Sequence, residues 1–167
     1  MVARLAAGFF IWDLLFCCIC HQGAAFAAHA TCAMFIYVSA LQPFQNRAAC
    51  EFLVFEISTP LLNLRQQLLA CKRTDTRLFR LASLGFAFLF LLCRWVVGLP
   101  CSVLWWADCL RQLRDHGDDP RFKPHVLGAS VAANVFLNGL NIYWGRLVIK
   151  ASRRTLAPKP SDAKKVD

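Results

Sequence analysis

Hydrophobic residues in this chain are gathered into five long blocks that short polar stretches separate. The blocks cover residues 1–20, 24–41, 48–70, 81–99 and 126–149. Most of them approach the length of roughly 20 apolar residues that an α-helix needs to cross the hydrocarbon core of a bilayer. The pattern therefore predicts an all-α fold, a polytopic transmembrane helix bundle of about five spans.

One apolar segment breaks this pattern because it is short and charged. Residues 101–113 contain Trp105 and Trp106 together with several ionisable side chains. Tryptophan is enriched at the membrane–water interface, where an amphipathic helix lies in the plane of the bilayer. We expect a short interfacial helix here, followed by a hydrophilic loop over residues 114–124.

Composition and charge distribution support a membrane environment. The chain is 57% hydrophobic and 17% charged, whereas soluble domains carry about 25% charged residues. The formal net charge of +9 is concentrated in residues 71–80 and after residue 150, at the ends of apolar blocks. This placement is typical of membrane-surface contact, so we expect membrane lipids and no nucleic acid as partners.

The charge pattern also predicts domain limits and topology. Residues 1–150 form the predicted transmembrane domain, and residues 151–167 form a basic, disordered cytoplasmic tail. Counting five spans back from that tail places residues 71–80 in the cytosol and residues 100–125 in the lumen. Near the end of the tail, Lys164 and Lys165 match a dilysine sorting signal. Such a signal predicts retrieval to the endoplasmic reticulum by coat proteins.

The third block carries an unusual number of polar side chains for a transmembrane segment. At 100° per residue most of them fall on one side of a helix, which must face other helices or a wet cavity. Pro60 cannot donate a backbone hydrogen bond, and its ring displaces the carbonyl of Glu56. Either Pro60 only kinks a packed helix that buries Glu56, or the patch lines a polar cavity. The predicted cavity residues of this block are Glu56, Ser58, Thr59, Pro60, Asn63 and Arg65.

Three further ionisable residues lie within apolar blocks. Asp13 is a second intramembrane carboxylate, which either fixes helix packing through a hydrogen bond or has a chemical role. His29 is a single histidine in an apolar helix, either a packing residue or a general base. Arg94 either extends to the interface or points inward to Glu56 or Asp13, because an unpaired buried charge is costly.

The last block shows a polar stripe at helical spacing. The stripe consists of Ser130, Asn134, Asn138, Asn141 and Gly145. Asparagines that bond across membrane helices contribute roughly 0.6–2 kcal/mol each. The stripe is therefore either a packing seam or part of the wall of a lipid-binding cavity, to which we assign Asn134, Asn138 and Asn141.

Cysteine usage does not suggest a metal site. Most of the nine cysteines lie inside apolar blocks, where cysteine acts as a small hydrophobic residue. The run Cys17-Cys18-Ile19-Cys20 has no matching second pair and no histidine at ligand spacing. We expect neither a metal nor another cofactor.

Four separated motifs resemble those of TLC-domain membrane proteins. Residues 55–65, FEISTPLLNLR, resemble the family's F-E-[LI]-S-T-P-F-x-N-x-R-W segment, with Leu61 for Phe and Gln66 for the final Trp. Residues 8–15, GFFIWDLL, resemble G-Y-F-x-W-D-L. Arg94 and Gly98 resemble R-x-x-x-G. Residues 140–146 resemble L-N-x-[FY]-W-x-x-[KR], with Arg146 one position before the basic residue of that pattern.

The resemblance is greatest to small TLC proteins of the TLC domain-containing protein 4 type. In such relatives further spans precede the segment that matches residues 8–15, so we expect a short form or a fragment.

The resemblance implies a multi-pass protein of the endoplasmic reticulum membrane that acts in lipid homeostasis through a lipid-binding polar cavity. The alternative is a ceramide-synthase-like acyltransferase with His29 as general base, oriented by Asp13 or Glu56. Ceramide synthases carry adjacent histidines in this region, whereas Ala30 follows His29 here, which favours a role without catalysis. A transporter relaying charge through Asp13, Glu56 and Arg94 would be expected to show internal repeats, and the sequence has none.

Overall fold

The computed structural model describes residues 2–41 and 45–156, apart from the side chain of Asn46. These residues form a bundle of five continuous helical rods and contain no strand, which confirms the all-α prediction. The helices are α1 (Val2–Ile19), α2 (Ala24–Ser39), α3 (Asn46–Phe52), a 3₁₀ helix (Leu53–Ser58), α4 (Thr59–Ala70), α5 (Arg77–Leu91), a π-helical segment (Leu92–Gly98), α6 (Leu99–His116) and α7 (Pro124–Leu156).

Three helices are long and apolar enough to cross a membrane. They are Val2–Ile19, Arg77–His116 and Pro124–Leu156 in the described part of the chain. The apolar helix α2 has 16 residues, a length of roughly 24 Å at 1.5 Å per residue. The remaining rod, α3 to α4, contains the 3₁₀ helix in its middle.

The rods surround a central space. Along this arrangement α1 packs on α2, α2 on α7, α7 on α5 and α5 on α4, while α3 returns to α1. Small side chains let α1 and α2 approach closely, since Ala6, Ala7 and Ala33 are buried with Phe10 and Tyr37 in one cluster. The turn between these two helices requires positive φ at His21 (47°) and Gly23 (104°). In this arrangement, the polar faces of the rods point toward one another.

The fourth rod corrects one prediction. We expected a span over residues 81–99 and a separate interfacial helix over 101–113, but Arg77–His116 is one continuous helix of 40 residues. Pro100 lies in the first turn of α6, where its missing N–H is tolerated. The π-helical segment directly before it absorbs the change of hydrogen-bonding pattern, so proline does not end the rod.

The last rod runs past the predicted end of the transmembrane domain. Helix α7 continues to Leu156, so residues 151–156 are helical and not part of a disordered tail. Arg153 and Arg154 lie in its last turn, where positive charge is favoured by the helix dipole. The predicted sorting signal at Lys164 and Lys165 lies outside the described residues.

Candidate functional site

Arg94 lies at the centre of a buried polar network, in the π-helical segment of the fourth rod, and is 6% exposed. Its Nη1 donates to Asn141 Oδ1 at 2.9 Å, and its Nη2 lies 3.5 Å from Glu56 Oε1. The ring centroids of Phe90 and Phe55 lie 5.1 Å and 5.9 Å from its Cζ. The guanidinium of Arg94, which would be costly to expose to lipid, is thus enclosed by a carboxylate, an amide and two aromatic rings.

Glu56 is held from its own helix as well as by Arg94. The Thr59 hydroxyl donates to Glu56 Oε2 at 2.6 Å. Glu56 lies in the 3₁₀ helix, in which side chains three residues apart are nearly eclipsed, and this aligns Thr59 with the carboxylate. Both carboxylate oxygens therefore have a partner, and the inward orientation of Arg94 has Glu56, not Asp13, as its ion-pair partner.

The 3₁₀ helix also explains where the polar side chains of the third rod point. Pro60 lies in the first turn of α4, just after Ser58, and is exposed. A 3₁₀ helix has 3.0 residues per turn, whereas an α-helix has 3.6. Residues before and after the 3₁₀ helix therefore do not share the faces that they would share in one regular α-helix. Pro60 therefore lies outside the cavity that Glu56 and Thr59 line.

Two glycines allow the aromatic side chains around Arg94 to approach the helix backbones. A Cβ atom on Gly98 would overlap the Phe55 ring, and one on Gly145 would overlap the Trp95 indole. Trp95 Nε1 in turn donates to the backbone carbonyl of Asn141 at 3.1 Å. The π-helical segment is thereby packed against the 3₁₀ helix at Gly98 and against α7 at Trp95.

A cavity of about 540 Å³ opens beside this network, between α1, α2, α4, α5 and α7. Its ionisable lining residues are Asp13, His29, Glu56 and Arg94. Side-chain amides line it at Gln22, Asn63, Gln66 and Gln67, and aromatic rings at Phe9, Trp12, Phe16, Phe26, Phe86, Phe90 and Trp144. Its volume falls in the range of about 300–1,000 Å³ that is typical of small-molecule sites.

A second, much smaller void of about 30 Å³ is also lined by Arg94. Tyr37, Glu56, Asn134 and Asn141 are among its lining residues. Arg94 Nε is buried and lacks a hydrogen-bond partner among the described residues. A void of this size has room for about one water molecule.

The sequence-predicted residues divide between the two spaces and the surrounding packing. The large cavity is lined by Asp13, His29, Glu56, Ser58, Thr59, Asn63 and Arg94. Asn134 and Asn141 line the small void, which His29, Glu56 and Arg94 also line. Asn138 lines neither space, since it is buried and donates to Asn134 Oδ1 at 3.0 Å. Arg65 is also outside both spaces, with its Cζ 5.7 Å from the Phe79 ring centroid on α5.

The asparagine stripe serves mainly as a packing seam. Asn134 Oδ1 accepts hydrogen bonds from Asn138 and from Trp106 Nε1, at 3.0 Å each. The bond from Trp106 joins α6 to α7, and Asn141 joins α7 to Arg94. Ser130 is fully buried, and its hydroxyl lies 2.9 Å from the Val126 carbonyl oxygen and 3.2 Å from Gln45 Oε1.

Sequence reasoning did not identify the aromatic lining of the cavity. Phe9, Trp12 and Phe16 line the cavity with Asp13, at the three- and four-residue spacing that places side chains on one helix face. The three- and four-residue spacing of these aromatic residues around Asp13 is the sequence pattern that could have predicted this part of the lining. Phe26 and Trp144 gave no local signal because α2 and α7 are brought together only by the fold.

His29 lies in the cavity beside an aromatic ring. Its ring centroid is 5.5 Å from that of Trp144, at an interplanar angle of 54°. Phe26, one turn earlier on α2, stacks on the same indole at 5.3 Å. The histidine thus shares the space with both intramembrane carboxylates and is packed against an aromatic wall.

Comparison with known proteins identifies the family. The family model of the TLC domain matches residues 1–150. The chain belongs to the TLC-domain family. Together with its apolar helices, this makes the protein an integral membrane protein.

Two curated proteins are similar to this TLC-domain chain. It is 27% identical over 165 residues to Topoisomerase I damage affected protein 4 of Saccharomyces cerevisiae, an alignment covering 96% of this chain and 58% of the relative. It is 28% identical over 157 residues to an uncharacterized TLC domain-containing protein of Schizosaccharomyces pombe, covering 92% of this chain and 51% of the relative. The chain thus spans little more than half the length of these relatives. No solved structure gives a significant match.

Proposed function

We propose that the protein acts in membrane lipid homeostasis by binding a lipid in the cavity beside Arg94. The observation that carries the proposal is the cavity itself, about 540 Å³ in volume within a helical membrane bundle. Apolar and aromatic walls with a few polar groups are the usual composition of a small-molecule site. Membership of the TLC-domain family supports a role in the membrane.

The arrangement of charge favours a binding site over a charge relay. Arg94 and Glu56 neutralise each other, and Asn141 and Thr59 hold them in place. A relay needs groups that exchange partners, whereas these groups are fixed between buried helices. We infer that the pair forms a rigid polar end of the cavity.

An acyltransferase is the second candidate, because His29 lines the cavity together with Asp13 and Glu56. A general base needs a free nitrogen and a neighbour that orients its ring. Glu56 is already bonded to Thr59 and Arg94, which leaves Asp13 for that role. In this case, acyl transfer by the purified protein would be lost in His29→Ala.

We further propose that the protein resides in the endoplasmic reticulum with its C-terminus in the cytosol. The α4–α5 turn, which begins at Cys71, carries Lys72 and Arg73, and α7 ends with Arg153 and Arg154. Because α4 and α7 are separated by one more rod that runs the opposite way, both basic regions lie at the same end of the bundle. Retrieval-coat proteins that recognise Lys164 and Lys165 are the proposed cytosolic partners.

Lipidomic rescue tests the proposed function. Cells that lack the protein are complemented with wild type, His29→Ala, Glu56→Gln or Arg94→Ala, and membrane lipid composition is measured. We expect Glu56→Gln to insert into the membrane but to restore the lipid profile incompletely, because the neutral amide cannot form an ion pair with Arg94.

Glu51→Gln is the matched control for this test. Glu51 lies on the same rod, but it is exposed and pairs with Arg47 at the surface, so full rescue is expected. If Glu56→Gln, His29→Ala and Arg94→Ala all restore the lipid profile as well as wild type does, the cavity has no part in the function.

A further inference from the structure

We propose that the cavity selects a lipid whose headgroup carries a quaternary ammonium, as in phosphatidylcholine. This inference rests on the proposed function, because it assigns a headgroup to the lipid that the cavity would hold. It follows from two features of the same cavity: a carboxylate, Asp13, that forms no ion pair with a described residue, and several aromatic rings in the lining.

Of the two carboxylates that line the cavity, Glu56 forms an ion pair with a described residue and Asp13 does not. Arg94 compensates Glu56 across 3.5 Å. Asp13 also lines the cavity and is half-buried, but it forms no ion pair with any residue in 2–41 or 45–156. An ionised carboxylate inside a membrane bundle is costly unless a cation meets it. A positively charged group on the ligand therefore complements Asp13.

Aromatic rings line the same cavity as Asp13. Trp12 and Phe16 lie beside it on α1, with ring centroids 6.4 Å apart at an interplanar angle of 29°. Phe26 and Trp144 provide a second stacked pair at 5.3 Å and 24°, and all four rings line the cavity. The faces of aromatic rings attract cations, and tryptophan does so most strongly.

These two features together favour a quaternary over a primary ammonium. A primary ammonium has three N–H donors and needs an acceptor for each. A quaternary ammonium has none, so it is satisfied by aromatic faces and one nearby carboxylate. The amides at Gln66 and Gln67, which line the same cavity, offer N–H donors that suit a phosphate.

Photo-crosslinking of defined lipids tests the assignment. The purified chain is reconstituted into vesicles of phosphatidylglycerol that contain a trace of photoactivatable phosphatidylcholine, phosphatidylethanolamine or phosphatidylglycerol with identical acyl chains. Crosslinked peptides are then mapped by mass spectrometry. We expect phosphatidylcholine to label the cavity most strongly.

The variants separate charge from aromatic contact. We expect Asp13→Asn to reduce phosphatidylcholine labelling about tenfold while phosphatidylglycerol labelling is unchanged, since the amide removes the counter-charge. Trp12→Leu should reduce phosphatidylcholine labelling roughly threefold. Trp12→Phe should keep most of the labelling, because phenylalanine retains an aromatic face.

Two matched controls lie outside the cavity. Asp108→Asn removes an exposed carboxylate on α6 that pairs with Arg111, and Tyr143→Leu removes an aromatic ring that is 56% exposed on α7. Both variants should label like wild type. Size-exclusion profiles and thermal unfolding in detergent identify any variant whose loss of labelling reflects misfolding.

The outcomes distinguish the headgroup from the lipid-binding role. Equal cavity labelling by all three lipids, or unchanged phosphatidylcholine labelling in Asp13→Asn, overturns the ammonium assignment but leaves the proposed function standing. Absence of cavity labelling by every lipid overturns the proposed function itself. If soluble choline displaces the phosphatidylcholine probe as well as dispersed phosphatidylcholine does, the site binds the free cation, and the assignment to a lipid is wrong.

Discussion

Arg94 shows how one side chain can organise the interior of this bundle. It is nearly fully buried and contacts three rods, through Glu56 on the third, Phe90 on its own and Asn141 on α7. Burying a guanidinium is costly, and the cost is offset only while every partner stays in place. Stability and the shape of the cavity therefore depend on the same contacts.

Arg94→Ala should destabilise the protein by about 3 kcal/mol, since it leaves the Glu56 carboxylate without its cation and empties a packed site. Thermal or denaturant unfolding in detergent measures the loss. Arg111→Ala is the control, because Arg111 is exposed and pairs with Asp108 at the surface, and such pairs contribute about 0–1 kcal/mol.

A double-mutant cycle tests whether the ion pair is the cause. Adding Glu56→Gln to Arg94→Ala should cost less than the sum of the two single changes, because the uncompensated carboxylate is gone. Strict additivity would show that Arg94 stabilises the fold by packing alone.

At the scale of the elements, irregular helix segments place the functional groups. Glu56 lies in a 3₁₀ helix and Arg94 in a π-helical segment, and each segment directly precedes a proline in the first turn of the next helix. Proline prevents a regular α-helical bond at that point, so the chain takes up a different turn there. The two irregular segments pack against each other.

Close packing between the π-helical segment and α7 depends on Gly145. Gly145→Ala should destabilise the bundle by about 1–3 kcal/mol, because its Cβ would overlap the Trp95 indole. Gly139→Ala, on the same helix, has no atom within 4 Å of the added Cβ.

This control should be neutral or more stable by up to about 1 kcal/mol, since alanine favours the helix. Unfolding midpoints of the two variants in one detergent give the comparison. If the two substitutions have equal effects, the close approach at Trp95 does not matter for stability.

At the scale of the whole molecule, the five rods alternate in direction. Two basic regions, the α4–α5 turn and the end of α7, therefore lie at one end, and the α6–α7 loop lies at the other. Small residues between α1 and α2 and asparagines between α6 and α7 hold the rods together where lipid provides no hydrophobic driving force.

Epitope tags inserted after Thr74 and after Asp118 should report opposite sides of the membrane. In sealed microsomes we expect protease to remove a C-terminal tag and the tag after Thr74, while the tag after Asp118 is protected until detergent is added. Equal protection of both inserted tags would contradict five crossings.

Much of the architecture could be predicted from the sequence, and the errors have identifiable causes. The buried face of α7 followed from the spacing of Ser130, Asn134, Asn138 and Asn141, all of which are buried. The break assigned between residues 99 and 101 was wrong because Pro100 was treated as ending a helix, whereas a π-helical segment accommodates it. Pro60 was assigned to the cavity because residues 51–66 were treated as one regular helix.

The sequence by itself determined the all-helical class, the membrane environment and the buried face of α7. Hydrophobic blocks and helical periodicity are local properties, so they can be read without knowing which rods are neighbours. Only the tertiary structure decided that Arg94 pairs with Glu56 and Asn141, that Trp144 meets Phe26 and that a cavity lies between them. These contacts join distant parts of the chain. The residue pattern of a helix face predicts that the face will be buried, but it does not predict which helix will pack against it.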